Sequence, residues 1–589
     1  MAVEIIMPKL GVDMAEGEII EWKKAEGDTV AEGDILLEIM SDKTNMEIEA
    51  EDSGVLLKIT RQAGETVPVT ETIGYIGEAG EEVEVASPAA SDVDVARTTE
   101  DLEAAGLEVP KAPAQESAPA AKAAKAPLAD DEYDIVVVGG GPAGYYAAIR
   151  GAQLGGKIAI VEKSEFGGTC LNVGCIPTKT YLKNAEILDG IKHAAGRGIN
   201  LASTNYTIDM DKTVDFKNTV VKTLTGGVQG LLKANKVTIF NGLGQVNPDK
   251  TVTIGSETIK GRNVILATGS KVSRINIPGI DSKLVLTSDD ILDLREMPKS
   301  LAVMGGGVVG IELGLVWASY GVEVTVIEMA DRIIPAMDKE VSLELQKILA
   351  KKGMNIKTSV GVEEIVEANN QLTLKLNDGS EVVAEKALLS IGRVPQMNGL
   401  ENLDLEMERN RIKVDDYQET SIPGIYAPGD VNGVKMLAHA AYRMGEVAAE
   451  NAMHGKVRKA NLEFTPAAVY THPEVAAVGM TEEDARAKYG DILIGRNSFT
   501  GNGRAIASNE AQGFVKVIAD AKYHEILGVH IIGPAAAEMI NEAATIMENE
   551  LTVDELLLSI HGHPTFSEVM YEAFADVLGE AIHNPPKRK

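Results

Sequence analysis

Two copies of one glycine-rich pattern, set at a fixed interval, constrain the fold of this 589-residue chain more than any other feature. In each copy a strand-like run is followed by a GxGxxG motif, a helix and a second strand that ends in glutamate. The motifs begin at Gly139 and Gly305 and the glutamates are Glu162 and Glu328, so the copies are 166 residues apart throughout. This order places a pyrophosphate at a helix N-terminus and a ribose hydroxyl beside the acid. A single motif would be weak, but two in register predict two α/β dinucleotide-binding domains.

The only two cysteines of the chain lie about 30 residues after the start of the first glycine motif. Cys170 and Cys175 occur in residues 167–179, which read Gly-Gly-Thr-Cys-Leu-Asn-Val-Gly-Cys-Ile-Pro-Thr-Lys. Two cysteines five positions apart can lie on one side of a helical turn and cycle between dithiol and disulfide. A helix N-terminus would also lower the thiol pKa. A structural disulfide and two unrelated core thiols are the alternatives, but the nearby nucleotide motif favours a redox pair.

The position of the cysteines assigns the two nucleotides. The first motif adjoins the cysteines and is assigned to FAD, so the second is assigned to a nicotinamide cofactor. Glu328 would repel a 2′-phosphate, which favours NAD over NADP, whereas the nearby Arg332 is a signal in the opposite direction. The residues predicted to bind FAD in the first motif are Gly139, Gly141, Gly144 and Glu162, and those predicted to bind NAD in the second are Gly305, Gly307, Gly310 and Glu328.

Two further segments support FAD. Residues 265–269 end a strand in Ala-Thr-Gly, and residues 424–430 end a strand in Ala-Pro-Gly-Asp. Together they resemble the ATG and GD motifs of two-dinucleotide flavoproteins, in which the acid bonds to a ribityl hydroxyl. The resemblance adds to the predicted FAD site Thr268, Gly269 and Asp430, and beside the isoalloxazine Met436, Leu437, Ala438 and His439.

A histidine-rich motif near the C-terminus supplies a candidate base. Residues 561–568 read His-Gly-His-Pro-Thr-Phe-Ser-Glu. Proline restricts the turn around His563, and Glu568 could orient its imidazole and raise its pKa. A lone histidine is more often structural, but thiol–disulfide exchange needs a base, so we predict this role for His563.

The first 80 residues contain an internal repeat of short strand-like segments. Residues 17–20 recur as 54–57 and residues 27–30 recur as 64–67, both with an offset of 37. Two similar halves predict a flattened β-barrel with pseudo-twofold symmetry. Lys43 lies between the halves at a predicted hairpin tip, where a lysine is usually only a solubilising charge. The module resembles a lipoyl domain with Lys43 as the lipoate attachment site; biotinyl domains usually carry Met-Lys-Met there, whereas this tip reads Asp-Lys-Thr.

Residues 81–130 are rich in alanine, proline, glutamate and lysine and offer little apolar surface to bury. This composition predicts an extended, mobile linker. It would act as a tether for Lys43, or as a passive spacer between fused domains.

Residues 131–589 closely resemble the dihydrolipoamide dehydrogenase family. The resemblance implies that Cys175 is the flavin-side thiol and Cys170 the interchange thiol, and that Lys179 lies near flavin N5, paired with Glu312. It implies that His563 is the base, supplied across a homodimer interface, with Glu568 orienting it. The usual Ala and Leu of the His-Ala-His-Pro-Thr-Leu-Ser-Glu run are replaced by Gly562 and Phe566. The remaining residues implied for FAD are Lys179 and Gly244, and for NAD they are Glu312 and Gly392.

The resemblance also implies the architecture and the reaction. Dihydrolipoyl thiols would reduce the cysteine disulfide, and electrons would pass through FAD to NAD⁺. The lipoyl donor would be the acyltransferase of a 2-oxo acid dehydrogenase complex. The expected domains are a lipoyl domain (1–80), linker (81–130), FAD domain (131–275), NAD domain (276–395), central domain completing the FAD site (396–462) and an α+β dimerisation domain (463–589).

Composition excludes several other classes. A net charge of −32 and a pI near 4.8 disfavour nucleic acid and anionic membranes as partners. No apolar run reaches the length of a membrane span and no signal peptide or metal site is predicted, so we expect a cytoplasmic protein. Glutathione reductase shares the cysteine spacing but would favour NADPH, and mercuric and large thioredoxin reductases need extra C-terminal thiols or selenium. A non-catalytic lipoyl carrier or scaffold is the alternative of a different class.

Overall fold

The computed structural model describes residues 3–7, 16–31, 33–40, 45–50, 52–68, 71–77 and 128–585. The chain forms two compact units, Met1–Lys125 and Ala126–Lys589, called here the N-terminal unit and the main unit. Lys43 and residues 81–127 of the predicted linker lie outside the described residues.

The N-terminal unit consists of two four-stranded antiparallel sheets around one apolar core. Their strand orders are β1-β8-β6-β3 and β5-β4-β2-β7. Exchanging β1 with β5, β8 with β4, β6 with β2 and β3 with β7 converts one order into the other, and β4 and β8 are 37 residues apart, as the internal repeat predicts. The strands are β1 Val3–Ile6, β2 Glu16–Trp22, β3 Thr29–Val30, β4 Ile35–Met40, β5 Asn45–Glu49, β6 Gly54–Ile59, β7 Thr66–Pro68 and β8 Thr72–Gly77.

The main unit begins with a sheet in the order β11-β10-β9-β14-β13-β12, to which β27 adds beside β14. The pairs among β9, β10, β11, β14 and β27 are parallel, whereas β12 and β13 form an antiparallel extension. β9 is buried along nearly its whole length, as is typical of a parallel strand covered on both faces. The strands are β9 Glu132–Val138, β10 Ile158–Glu162, β11 Thr238–Asn241, β12 Gly244–Val246, β13 Thr251–Ile254 and β14 Glu257–Leu266, and the helices are α1 Pro142–Gln153, α2 Gly168–Val173, α3 Cys175–His193 and α4 Met210–Ala234, with a 3₁₀ turn at Ala194–Arg197.

A second parallel sheet follows in the order β16-β23-β17-β18-β19, with an antiparallel sheet β20-β21-β22 beside it. The short pair β15 and β24 connects the two dinucleotide folds. The strands are β15 Ser270–Val272, β16 Val285–Thr287, β17 Ser300–Met304, β18 Glu323–Ile327, β19 Asn355–Lys357, β20 Val362–Ala368, β21 Gln371–Leu376, β22 Glu381–Ala384, β23 Lys386–Leu389 and β24 Arg393–Pro395, and the helices are α5 Ser288–Ile291, α6 Val308–Ser319 and α7 Lys339–Lys351.

The next segment returns to the first sheet. β27 pairs with β14, and the helix α8 lies so close to α1 that a Cβ at Gly445 would collide with the Ala143 carbonyl oxygen. This segment therefore packs onto the first dinucleotide fold and extends its sheet. Its elements are β25 Met407–Glu408, β26 Arg411–Ile412, β27 Ile425–Tyr426, a 3₁₀ turn Asp430–Asn432 and α8 Ala438–His454.

The C-terminal part is an antiparallel sheet in the order β28-β29-β32-β31-β30, whose core residues pack with those of helices α11 and α13. The strands are β28 Ala467–Val469, β29 Glu474–Gly479, β30 Ile492–Ser498, β31 Phe514–Asp520 and β32 Ile526–Gly533, and the helices are α9 Glu482–Tyr489, α10 Gly503–Ser508, α11 Ala536–Glu548, α12 Val553–Leu556 and α13 Glu568–Leu578, with a 3₁₀ turn at Phe499–Gly501. The predicted fold class is thus confirmed: an all-β module, two α/β dinucleotide folds and an α+β C-terminal part. None of the described helices combines the length and apolar character needed to cross a membrane.

Candidate active site

The two cysteines lie at the junction of two helices. Cys170 is in α2 and Cys175 is the first residue of α3, with Gly174 between the helices. Both are free thiols, and Cys170 donates a hydrogen bond to Cys175. This bond, and beyond it the Lys179 ammonium, lower the pKa of Cys175 to about 7, while the pKa of Cys170 is raised. At neutral pH the pair therefore holds a substantial fraction of thiolate at Cys175, as expected of a reactive dithiol.

Lys179 lies one helical turn beyond Cys175 and connects three parts of the main unit. Its Nζ is 2.8 Å from an Oε of Glu312, which is almost fully buried in α6. The other Glu312 carboxylate oxygen accepts the Tyr470 backbone N–H at 2.8 Å, and the Lys179 ammonium lies 4.3 Å from the centre of the Tyr470 ring. The predicted Lys179–Glu312 ion pair is confirmed. Glu312 itself lies on α6, the helix that follows the second glycine motif, and it reaches the redox helix α3 through Lys179.

In the first glycine motif, Gly141 is the glycine at which an added Cβ would meet no close protein atom. A Cβ at Gly139 would collide with the Ala267 carbonyl oxygen, and one at Gly144 would collide with the Gly139 carbonyl oxygen. At Gly141 the nearest atom to an added Cβ is the Gly168 Cα, 3.6 Å away. Gly139 and Gly144 are thus required by chain packing, whereas Gly141 keeps the start of α1 open to a pyrophosphate.

The second motif repeats this pattern. A Cβ at Gly305 would lie 2.6 Å from the Ser390 carbonyl oxygen, and one at Gly310 would collide with the Gly305 carbonyl oxygen. An added Cβ at Gly307 meets no described atom within 4 Å. Gly307 is the N-cap of α6, and no side chain of the described residues caps that helix. In both motifs, therefore, the first and last glycines are required by chain packing, and the middle glycine leaves space at a helix N-terminus for a pyrophosphate.

The acids that end the second strands make equivalent contacts in both folds. Glu162 accepts the Gly140 N–H at 2.6 Å and the Ser164 N–H at 2.8 Å. Glu328 accepts the Gly306 N–H at 2.6 Å and the Ala330 N–H at 2.7 Å. Each acid is therefore fixed beside its glycine motif, where a carboxylate with remaining lone pairs can still accept from a ribose hydroxyl.

Arg332, whose position after Glu328 would favour NADP, is bound by two carboxylates of the protein. Its guanidinium donates to Asp331 at 3.2 Å and to Glu483 of α9 at 3.0 Å. Its side chain is only 15% exposed. Two carboxylates thus already neutralise the cation that a 2′-phosphate would need.

Asp430 of the predicted GD motif contacts Ser270, the residue directly after the predicted ATG motif, and Arg393 binds the same serine. Asp430 accepts the Ser270 hydroxyl at 2.6 Å, and Arg393 donates to the same hydroxyl at 2.8 Å and to the Thr169 hydroxyl at 3.1 Å. Arg393 thereby ties the residue before Cys170 to Asp430. The sequence gives no signal for this role, because Arg393 reaches the site only through the pairing of β24 with β15, directly after the Ala-Thr-Gly motif.

Four other residues predicted to bind FAD or NAD make few side-chain contacts with the rest of the site. Thr268 donates its hydroxyl to the Gln396 carbonyl at 2.6 Å, and an added Cβ at Gly269 or Gly392 meets no described atom within 4 Å. Gly244 is buried, and an added Cβ there would crowd valine side chains of the sheet at 3.1–3.3 Å. Packing alone thus explains a glycine at position 244, and its binding role stays a prediction.

Residues 436–439 lead into the start of α8. Leu437 is the N-cap, and no side chain of the described residues caps the helix. Met436, Leu437 and Ala438 are half-buried, whereas His439 is exposed and bonds through Nε2 to the Pro466 carbonyl at 2.7 Å. The start of α8 therefore leaves backbone N–H groups available to a flavin, and His439 is turned towards the C-terminal part.

The predicted base and its orienting acid are in contact. His563 Nδ1 lies 2.8 Å from one Glu568 carboxylate oxygen, and the other oxygen accepts the Thr565 N–H at 2.8 Å. Although burial opposes it, the Thr565 N–H and His563 hold the pKa of Glu568 below its usual value. The His563 side chain is 76% exposed, and its imidazole bonds to Glu568 rather than to a cysteine of the same chain. Within one chain, the base faces solvent.

No group of three or more His, Cys, Asp or Glu side chains in the described part of the chain has a metal-binding arrangement. The site described above is built from two cysteines, a lysine and two glycine-rich nucleotide motifs.

This fold and site define a two-dinucleotide disulfide oxidoreductase, and comparison with protein families agrees. Residues 133–445 match the family described as pyridine nucleotide-disulphide oxidoreductase, and residues 465–574 match the dimerisation domain of the same family. Residues 3–76 match a third family, described as biotin-requiring enzyme, whose model covers biotinyl and lipoyl domains. The chain belongs to the pyridine nucleotide-disulphide oxidoreductase family and carries an additional N-terminal module.

Similar proteins specify the family further. The chain is 39% identical over 456 residues to a dihydrolipoyl dehydrogenase of Bacillus subtilis (strain 168), an alignment that covers 76% of this chain and 99% of that protein. It is 43% identical over 463 residues to the dihydrolipoyl dehydrogenase of Thermus scotoductus, covering 77% and 98%. Among solved structures, the HOCl-induced flavoprotein disulfide reductase RclA from Escherichia coli aligns with a TM-score of 0.67 and 27% identity, covering 75% of this chain and 99% of that one.

Replacing Lys179 with methionine should raise the pKa of Cys175. The wild-type thiolate forms as the pH rises through about 7. The variant removes the cation that favours the thiolate and leaves Glu312 unneutralised, so the midpoint should move upwards by about one pH unit or more. The measurement is the rate of Cys175 alkylation by iodoacetamide in the reduced protein, followed by mass spectrometry across pH 5–10.

Lys183→Met is the matched control for this substitution. Lys183 lies one turn further along α3, pairs with Glu186 at 2.7 Å and is exposed. It should leave the midpoint unchanged. An equal shift in both variants, or none in Lys179→Met, would show that Lys179 does not control the thiolate.

Proposed function

We propose that this protein is a dihydrolipoyl dehydrogenase that reoxidises protein-bound dihydrolipoamide, with FAD as its resident cofactor and NAD⁺ as the electron acceptor. The observation that carries the proposal is the hydrogen-bonded Cys170–Cys175 pair, with a lowered pKa at Cys175 and Lys179 beside it. The uncrowded glycines Gly141 and Gly307, one in each glycine motif, support the two cofactors. The named relatives and the N-terminal module support the substrate.

The chain's own residues carry out a balanced disulfide exchange. His563 takes the proton of one dihydrolipoyl thiol, and the resulting thiolate attacks Cys170 Sγ of the enzyme disulfide. A bond forms between that sulfur and Cys170, and Cys175 leaves as a thiolate stabilised by Lys179. The second dihydrolipoyl thiol then loses its proton and attacks the substrate sulfur, closing the lipoamide ring. Cys170 leaves with a proton from His563, so the enzyme gains two electrons and one proton is released.

The residues proposed to hold FAD surround this pair. When bound, FAD supplies two-electron transfer from the reduced cysteines to NAD⁺. Glu162 and Asp430 would accept from its sugar hydroxyls, and the starts of α1 and α8 would face its phosphates and ring. The remaining FAD residues in the proposal are Gly139, Gly141, Gly144, Lys179, Gly244, Thr268, Gly269, Met436, Leu437, Ala438 and His439.

NAD⁺ rather than NADP⁺ is the proposed acceptor. Glu328 is fixed beside the second glycine motif, where its charge opposes a 2′-phosphate. Arg332 supports the same choice because Asp331 and Glu483 already bind its guanidinium. The other NAD residues in the proposal are Gly305, Gly307, Gly310 and Gly392, with Glu312 acting through Lys179.

The chain carries the dimerisation domain of its family, which supports a homodimer. We propose that the partner subunit's His563 completes the active site, which fits the exposure of His563 within one chain. The proposed donor is the lipoylated acyltransferase of a 2-oxo acid dehydrogenase complex, in the cytoplasm.

The N-terminal unit is proposed to be a lipoyl carrier with lipoate on Lys43. The family match over residues 3–76 and the matching strand orders of its two sheets support this role. Intact-mass measurement of protein made in lipoylating cells tests it: the mass should rise by one lipoyl group and should not rise in Lys43→Arg.

Paired assays test the proposed reaction. The purified protein should reduce NAD⁺ rapidly with free dihydrolipoamide and should oxidise NADPH only weakly with glutathione disulfide. Activity only in the second assay would contradict the proposal and favour a glutathione-reductase-like enzyme. Inactivity in both, with FAD bound, would favour a scaffold.

Replacing His563 with alanine should slow NAD⁺ reduction by dihydrolipoamide by about 10²–10⁴-fold, because the base is lost. His524→Ala is the matched control, since His524 also binds a carboxylate through Nδ1, that of Asp554 at 2.7 Å. The control should retain near-normal turnover. Similar losses in both variants would mean that His563 has only a structural role.

A further inference from the structure

Three tyrosines form a cluster that the exchange described above does not use. Tyr145 and Tyr146 are the fourth and fifth residues of α1, and Tyr442 is the fifth residue of α8. The rings of Tyr146 and Tyr442 are stacked, with centroids 4.1 Å apart and an interplanar angle of 17°. The Tyr145 ring lies 5.2 Å from Tyr146 and 6.0 Å from Tyr442.

The cluster lies beside Cys170. The start of α1 touches the start of α2, because a Cβ added at Gly141 would lie 3.6 Å from the Gly168 Cα. Cys170 follows Gly168 by two residues, and it packs against the same apolar core cluster that contains Tyr145 and contacts Tyr442. Cys170, which receives the substrate, therefore packs in the same region as Tyr145 and Tyr442, and Tyr146 stacks on Tyr442.

One side of the cluster is anchored and the other is open. Tyr145 is buried, and its ring packs at a tilt against both other rings, which supports the Tyr442 ring from the protein side. Tyr146 is 40% exposed and so presents part of the stack to solvent. A rigid aromatic surface of this kind binds a ligand with little loss of side-chain entropy.

The chemistry of such a surface suits one class of thiol substrate. Aromatic rings make favourable contacts with divalent sulfur and with alkyl chains. Dihydrolipoamide offers two sulfurs on an apolar chain, whereas glutathione offers a charged peptide that would lose hydration against the rings.

We propose that the stacked rings of Tyr146 and Tyr442 form a wall against which the dithiol arm of dihydrolipoamide packs while one of its sulfurs meets Cys170. The inference rests on the proposed function and deepens it, since it names the side chains that select the apolar arm. Tyr145 is a positioning residue that holds Tyr442.

The test compares two dithiols in Tyr146→Ala and Tyr146→Phe homodimers loaded with FAD. Dithiothreitol can reduce a disulfide but lacks the apolar arm. In Tyr146→Ala, the KM for dihydrolipoamide should rise about tenfold relative to the KM for dithiothreitol, because sulfur and alkyl contacts with one ring are lost. The kcat for dihydrolipoamide should change much less. Tyr146→Phe keeps the ring and should restore the wild-type KM ratio.

Tyr489→Ala is the matched control, because Tyr489 is also 40% exposed but lies on α9. It should leave the KM ratio unchanged. An unchanged ratio in Tyr146→Ala, or equal rises for both dithiols, would overturn the inference while leaving the proposed function intact. No turnover of dihydrolipoamide by the unsubstituted protein would instead overturn the proposed function, and the inference with it.

Discussion

The active site depends on one partly buried ion pair, between Lys179 and the buried Glu312. Lys179 lies one turn beyond Cys175 on the redox helix, Glu312 belongs to the second dinucleotide fold, and the second Glu312 oxygen holds the backbone of Tyr470 in the C-terminal part. A buried carboxylate needs such partners because burial of an unpaired charge is costly. The same contact that favours the Cys175 thiolate therefore also fixes three parts of the main unit relative to the cysteines. The Lys179–Glu312 ion pair thus serves both the thiol chemistry and the packing of the main unit.

The duplicated dinucleotide folds were predictable from sequence because their determinants are local. A strand, a glycine-rich turn, a helix and an acid follow one another in the chain, so the order of residue types is enough. The structure repeats even the hydrogen bonds at the same interval, from Gly140 to Glu162 and from Gly306 to Glu328. The pairing of His563 with Glu568 was predictable for the same reason, since five residues separate them. The N-terminal module was recognisable because its two halves repeat.

Other features were not predictable, because they join residues that are far apart in the chain. Arg393 reaches Thr169 across more than 200 positions, through the pairing of two three-residue strands. Glu483 engages Arg332 only because α9 packs against the second dinucleotide fold, where buried Lys516 bonds to Asp338 and Glu482. The stack of Tyr146 on Tyr442 depends on the close approach of α1 and α8, which glycines such as Gly445 permit. In sequence, each of these residues is an ordinary polar or aromatic side chain.

The most direct test of the account is anaerobic reduction of the FAD-loaded protein by one equivalent of dihydrolipoamide, followed by absorbance. If electrons enter at the cysteine pair, oxidised flavin should persist beside a Cys175 thiolate and a long-wavelength charge-transfer band should appear. The band should strengthen as the pH rises through about 7, where Cys175 ionises. Direct bleaching of the flavin without such a band, or a band that persists unchanged in Cys175→Ser, would contradict the central role of the Cys170–Cys175 pair.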